Sequence, residues 1–321
     1  MWNFLKLIRI QNLLIIALTQ YMVRYMVVEP YLKHHGLALQ FSSFHFLLLV
    51  LATMFIAAAG YIINDYFDRK TDLLNRPEKV LVGKSIRRRV AMVLHQVFSI
   101  IGVIIGFYIA YYIGYIFIGI VFPLIVGILW FYSTTYKRQL IIGNVIVSLL
   151  TGLVPLMVIL FEIPLLNQSY GRYLLLNAIS FRYIIFWTVA LAGFAFLLNL
   201  VREIVKDAED FEGDAAFGRN SIPIVFGTTW TKIIVAFLLG TTALGVSLLS
   251  VIFFIAKMEP AQMWIPLLYN TLFILMPILF AMVWVIRASD KKDYFVASQI
   301  IKVVMLCGIF FSIFIRYFFV G

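Results

Sequence analysis

Nine apolar stretches of about 20 residues each recur along the chain, and this recurrence limits the fold more than any other feature. They run over 11–28, 44–64, 90–109, 112–132, 141–161, 182–204, 231–255, 262–287 and 296–319. A helix rising 1.5 Å per residue needs about 20 such residues to cross the hydrocarbon layer of a bilayer. Composition agrees: 63% of the 321 residues are apolar and only 13% are charged. A soluble domain carries about 25% charged residues, so this chain has too little polar surface to cover a globule in water. The fold class is therefore all-α, a polytopic membrane bundle of nine transmembrane helices forming one domain over 1–321. The third and fourth stretches are parted only by a short turn near Tyr111 to Gly114. No small-residue cleavage pattern follows Lys6, Arg9 and the apolar run after them, so the first stretch is expected to remain as a helix.

Charge tests this layout. With nine crossings, the N-terminus and every connection after an even-numbered helix share one face, which receives 19 of the 26 Lys and Arg. The opposite face receives six: Arg24, Lys33, Arg172, Arg182, Lys257 and Arg316. Lys302 lies inside the ninth stretch and belongs to neither. Basic residues collect on the cytoplasmic side of membrane proteins, so the first face and the N-terminus are expected in the cytoplasm, in the cell inner membrane. That bias accounts for the net charge of +11 without a nucleic-acid partner. Twelve of the 15 carboxylates also fall on this face, all but Glu29, Glu162 and Glu259, and ten of them lie within 65–78 and 203–214. The lone cysteine, Cys307, rules out an internal disulfide and a cysteine-built metal site.

The two acidic stretches share one spacing. Asp65, Asp68 and Asp72 follow Asn64 at the end of the second span, and Asp207, Asp210 and Asp214 follow Lys206 at the end of the sixth. Each triplet reads Asp-x2-Asp-x3-Asp, and on a helix turning about 100° per residue those offsets fall within roughly 60° of arc. Crowded carboxylates repel one another unless a cation neutralises them, and at a membrane helix end the cost is higher still. Hard oxygen donors suit Mg²⁺, which keeps part of its coordination for water and substrate phosphates. Two clusters on one face would then clamp metal ions around a diphosphate and neutralise the leaving group as a C–O bond breaks. A competing explanation is a solvated face on which each Asp pairs with a local Arg or Lys. Arg76, Lys79 and Lys84 after the first cluster, and Lys137 and Arg138 after the fourth span, are candidate phosphate donors.

These motifs resemble the UbiA-type superfamily of intramembrane prenyltransferases from about Arg9 to the last helix. The most specific marks are Asn64-Asp65-x2-Asp68-x3-Asp72, then Asn75-Arg76-Pro77, Tyr132 to Arg138 with Gly143-Asn144, and Arg202-Glu203-x2-Lys206-Asp207 leading to Asp210-x3-Asp214. The resemblance implies a central cavity capped by two loops, 65–89 and 205–230, and a prenyl diphosphate donor with a lipophilic acceptor. It further implies two Mg²⁺ ions, one on Asp65, Asp68 and Asp72 and one on Asp207, Asp210 and Asp214. Of these, Asp65, Asp68, Asp207 and Asp210 are the expected catalytic set. Asn64 would support the first site, while Lys137, with Arg76, Arg138 and Lys206, would bind substrate. The string from Arg202 to Asp214 is similar to that of digeranylgeranylglyceryl phosphate synthases, which ranks alkylation of a glycerol phosphate lipid ahead of prenylation of an aromatic quinone precursor. The run Arg76-Pro-Glu-Lys-Val-Leu-Val-Gly83 departs from the Arg-Pro-Leu-Pro-Ser-Gly of many relatives. A transporter or lipid-binding protein is the rival from another class, and it calls for ionisable residues deep within the spans. Lys302 is the one clear case in the predicted spans.

Overall fold

A computed structural model describes residues 2–255 and 260–320. Lys257 and Glu259, counted above in the charge asymmetry, lie outside them. The described residues contain nine helices long and apolar enough to cross a membrane. These are α1 (Ile10–His34), α2 (Ser43–Asn75), α3 (Arg88–Tyr112), α4 (Ile116–Thr134), α5 (Ile142–Leu176), α6 (Arg182–Glu209), α7 (Ile222–Ile255), α8 (Gln262–Arg287) and α9 (Lys291–Arg316). No strand forms among them; the one β-type feature is an isolated bridge between Val82 and Ile86. The break between α3 and α4 is real: Gly114 takes φ +77, which a residue without Cβ adopts freely, and a 3-10 turn then starts α4.

Helices outlast the apolar stretches that reveal them. Hydropathy ends near residue 64 on the second span, yet α2 continues to Asn75. It stops there because the residue before Pro77 is pushed out of the helical region, and Arg76 sits at φ −150. Within 65–89 the loop proper therefore begins only at Arg76, and the first aspartate triplet rides on helix. Similarly, α5 runs on to Leu176 and accommodates Pro155 and Pro164 in its interior. Each removes a backbone donor, which membrane helices tolerate when neighbouring groups satisfy the freed carbonyls.

Around the axis, α2 packs on α1, α3 and α4, α5 on α6, and α9 on α1, α6 and α8. Two large apolar cores and two smaller ones result. Of the large ones, one joins α1 to α6 around Phe41, Phe46, Phe122 and Phe161, and the other joins α6 to α9 around Leu198, Val235, Ile278 and Ile301. Large apolar side chains such as Ile104, Phe237 and Leu244 point outward, as expected where lipid is the solvent. Polar contacts join helix ends that the charge layout puts on one face. Lys291 donates to the Asn75 carbonyl at 2.8 Å on the motif side, and Tyr31 donates to the Ser180 carbonyl at 2.6 Å on the other. Arg24 of α1 and Glu162 of α5 are both buried, 3.8 Å apart. Glu162 accepts the backbone N–H groups of Gln40 and Phe41, and Arg24 donates to the Phe41 carbonyl. This pair fastens the α1–α2 loop to α5, away from the aspartates.

Candidate active site

Between α1, α2, α4, α5, α6 and α9 lies a cavity of about 360 Å³. Its upper wall is charged and its depth is apolar, with Phe122, Ile125, Leu153 and Met157 below. A second cavity of about 90 Å³, lined by Thr19, Pro155, Phe194 and Gly308 among others, shares Ile15, Ile16, Thr151, Val154 and Met305 with the first. Together they could hold long hydrocarbon chains beneath a polar head.

The last turns of α2 aim Asp68 and Asp72 into the cavity. Asp65, on the same helix, does not line the cavity and meets Arg9 at 2.8 Å. Arg9 occupies the left-handed region (φ 51) between a short N-terminal helix and α1, which brings its side chain back over α2. On the other side, α6 carries Asp207 into the cavity and ends at Glu209. A short helix, Phe211–Ala216, then turns Asp214 inward, with Asp210 at the break. The two aspartate segments are tied directly. Asn75 donates to the Asp210 carbonyl at 3.2 Å and accepts the Gly213 N–H at 3.0 Å. Arg76 places one guanidinium nitrogen 2.9 Å from each carboxylate oxygen of Asp210, and reaches Glu209 at 2.9 Å.

Cations from further segments complete the upper wall. Lys137 donates to Asp68 at 2.6 Å and approaches Asn64 at 3.4 Å. Its turn lies on the start of α5, where a Cβ at Gly143 would stand 2.7 Å from the Lys137 Cα. Arg219 bridges the two triplets, pairing with Asp68 and, at 3.0 Å, with Asp214. Asn144 donates to Asp207 at 2.8 Å. Burial opposes the Arg219 charge, but the carboxylates of Asp68 and Asp214 outweigh it and hold its pKa above the ordinary value. Burial also pulls the Lys137 ammonium below its usual value, against the opposing effect of Asp68. It raises Asp214 to about 6, although Arg219 works the other way.

Nine of the residues singled out in the sequence thus line one cavity: Asn64, Asp68, Asp72, Arg76, Lys137, Lys206, Asp207, Asp210 and Asp214. Asp65, Lys79, Lys84 and Arg138 do not. Arg138 is exposed; its backbone N–H donates to the Thr135 carbonyl at 3.2 Å and its carbonyl accepts the Asn220 N–H at 3.1 Å. The sequence reading passed over Arg219, Arg9 and Asn144 as site residues. Arg219 carried one signal, as the first basic residue after the second triplet.

The donor set fits Mg²⁺. Five aspartates from two segments offer only oxygen, the preferred donor of that ion, and leave room for water and phosphate oxygens. Among the described residues no three acidic or imidazole groups gather at one point. Lys137, Arg76 and Arg219 stand among the carboxylates and neutralise them individually.

Comparison with known proteins places the chain. Residues 36–311 match the model of the UbiA prenyltransferase family. The digeranylgeranylglyceryl phosphate synthase of Methanothermobacter thermautotrophicus is 29% identical over 84% of this chain and 85% of its own length. That of Sulfolobus acidocaldarius is 30% identical over 84% and 88%. A solved digeranylgeranylglyceryl phosphate synthase structure shares the fold at a TM-score of 0.63 and 24% identity, covering 97% of this chain and 98% of that one. A UbiA homolog from Archaeoglobus fulgidus, solved with DMAPP and Mg²⁺, aligns at a TM-score of 0.55 and 16% identity over 97% and 99%. A family match across most of the chain, on a nine-helix membrane fold, makes this protein a member of the UbiA prenyltransferase family.

Proposed function

We propose that this membrane prenyltransferase binds the head of a prenyl diphosphate, with Mg²⁺, between its two aspartate segments and transfers the prenyl chain to a glycerol phosphate lipid of the geranylgeranylglyceryl phosphate type. The observation that carries this reading is the convergence of Asp68, Asp72, Asp207, Asp210 and Asp214 on one cavity whose depth is apolar. The relatives named as digeranylgeranylglyceryl phosphate synthases support the choice of acceptor. The Archaeoglobus homolog solved with DMAPP and Mg²⁺ supports the choice of donor and metal. The motif-bearing face is assigned to the cytoplasm from the positive-inside bias.

In this reading Asp68 and Asp72 hold one metal ion, and Asp207, Asp210 and Asp214 hold a second. Asp65 serves the first site from behind, through its pairing with Arg9. Bound Mg²⁺ neutralises charge on the departing diphosphate. Asn144 fixes the orientation of the Asp207 carboxylate, and Asn64 does the same for the Lys137 ammonium. Lys137, Arg76 and Arg219 now hold carboxylates. With those carboxylates engaged by metal, the same three cations would be free to donate to diphosphate oxygens as charge-assisted donors. Lys206 stands on the same wall and Arg138 at its outer edge. The C–O bond at the prenyl C1 breaks with its electron pair leaving on diphosphate. The acceptor hydroxyl oxygen bonds to C1, and its proton passes to the departing diphosphate. Water is kept from the allylic centre by the apolar depth of the cavity.

The test is product identity. Purified protein in detergent is given labelled geranylgeranyl diphosphate with a glycerol phosphate lipid or with aromatic acids. A labelled ether lipid formed only with Mg²⁺ supports the reading, while a prenylated aromatic acid would replace the acceptor assignment.

A further inference from the structure

Lys302 is the basic residue that the charge layout leaves unplaced. It lies inside α9, lines the main cavity, and sits one turn before Met305, which lines both cavities. Its ammonium makes no hydrogen bond and no ion pair among the described residues. An uncompensated lysine within a membrane span is costly and marks a functional position by default.

It does not stand alone. The charges of Arg202 and Arg9 act on Lys302, and those of Arg202, Arg9 and Glu203 act on Lys206. Arg9, Arg202, Lys206 and Lys302 give this wall four positive charges. Its carboxylates are Asp65, paired with Arg9, and Glu203, paired with Arg202 and Lys206. Four against two leaves two positive charges unmatched. The aspartate segments have the opposite balance, Asp207 counted with them because Asn144 of α5 holds it: Asp68, Asp72, Asp207, Glu209, Asp210 and Asp214 outnumber Arg76, Lys137 and Arg219 by three. The aspartate wall attracts metal ions and, through them, diphosphate. The wall on α1, α6 and α9 attracts an anion directly, with no metal between. A phosphate monoester carries a charge of about −1.5 to −2 near neutral pH, close to the surplus there.

We infer that Lys302, with Arg202 and Arg9, binds the phosphate monoester of the acceptor lipid. Resting on the function proposed above, this assigns the acceptor headgroup to the α1–α6–α9 wall and its hydrocarbon chain to the apolar space past Ile15, Ile16 and Met305. Lys302 is then a specificity-determining residue, separating phosphorylated acceptors from neutral ones, and takes no part in breaking the donor bond.

The experiment compares wild type, Lys302→Met and Lys302→Arg in detergent. The donor is labelled geranylgeranyl diphosphate, and the acceptor is geranylgeranylglyceryl phosphate or its dephosphorylated alcohol. Lys302→Met should raise KM for the phosphorylated acceptor roughly 10- to 100-fold, the range of one lost charge-assisted hydrogen bond. KM for the donor should stay within about twofold of wild type, because only the acceptor wall has lost a charge. Preference over the alcohol should shrink, and Lys302→Arg should restore most of it. If Lys302→Met does not fold, Lys302→Gln takes its place. An unmoved acceptor KM, a donor KM that rises in parallel, or no rescue by arginine overturns the inference while leaving the proposed reaction standing. Absence of any glycerol lipid product with the wild type rejects that reaction, and the inference with it.

Discussion

Asn75 at the end of α2 accepts the backbone N–H of Gly213, 138 residues further along the chain, at 3.0 Å. This bond, with the Arg76 contact to Asp210, brings the second aspartate segment over the first. The contact leaves no room for a side chain: a Cβ on Gly213 would meet the Asn75 amide at 2.3 to 2.5 Å. Gly213→Ala is therefore expected to push the two segments apart, lowering stability by about 1–3 kcal/mol, as overpacking does. Turnover should fall more than tenfold, because a small misplacement of reacting groups is expensive. Thermal melts and diphosphate release check both.

Arg219 holds Asp68 and Asp214 together, and removing it leaves two buried carboxylates facing each other without metal. Arg219→Ala should destabilise the metal-free protein by about 3–5 kcal/mol, the range for breaking a buried pair. Added Mg²⁺ should recover part of that loss by supplying the missing positive charge. A melting temperature in chelator equal to wild type would remove Arg219 from this role.

Burial raises the Asp214 carboxyl from an ordinary 3.8 to about 6. The folded metal-free protein thus keeps a proton that the unfolded chain releases earlier. The associated stability is complete below about pH 4 and is lost as pH rises through about 6, a change of about 3 kcal/mol for such a shift. Melts in chelator between pH 4 and 7 should show this decline, and Asp214→Asn should flatten it.

The acceptor's hydrocarbon chain is assigned to the space below the charged wall. Ala195 lines the second apolar cavity there, and Ala195→Phe would fill much of its 90 Å³. The variant should raise KM for the geranylgeranyl-chained acceptor and shift preference toward acceptors with shorter chains. Competition between acceptors of different chain length reads this directly.

The nine crossings were legible in the sequence because lipid demands long apolar runs, and the aspartate triplets because their spacing repeats. Hydropathy reports where lipid contact ends and not where helical hydrogen bonding ends, so the extensions of α2 to Asn75 and α5 to Leu176 were hidden. Asp65 illustrates a second limit. Spacing puts it on an arc shared with Asp68 and Asp72, but the partner it pairs with, Arg9, lies 56 residues upstream. Arg219 showed only its position after the second triplet for the same reason, since its contact with Asp68 spans 151 residues. Arg138 looked equivalent to its neighbour Lys137, yet in a tight 3-10 turn adjacent side chains diverge, and only Lys137 faces the cavity.

The most direct test of the paired aspartate site is Mg²⁺-dependent release of diphosphate from geranylgeranyl diphosphate by Asp68→Asn and Asp207→Asn. Each substitution removes a carboxylate from a different segment while preserving its shape. Both variants should fall at least about 100-fold, the loss expected when stabilisation of the leaving group is removed. Near-wild-type release by both would contradict the site.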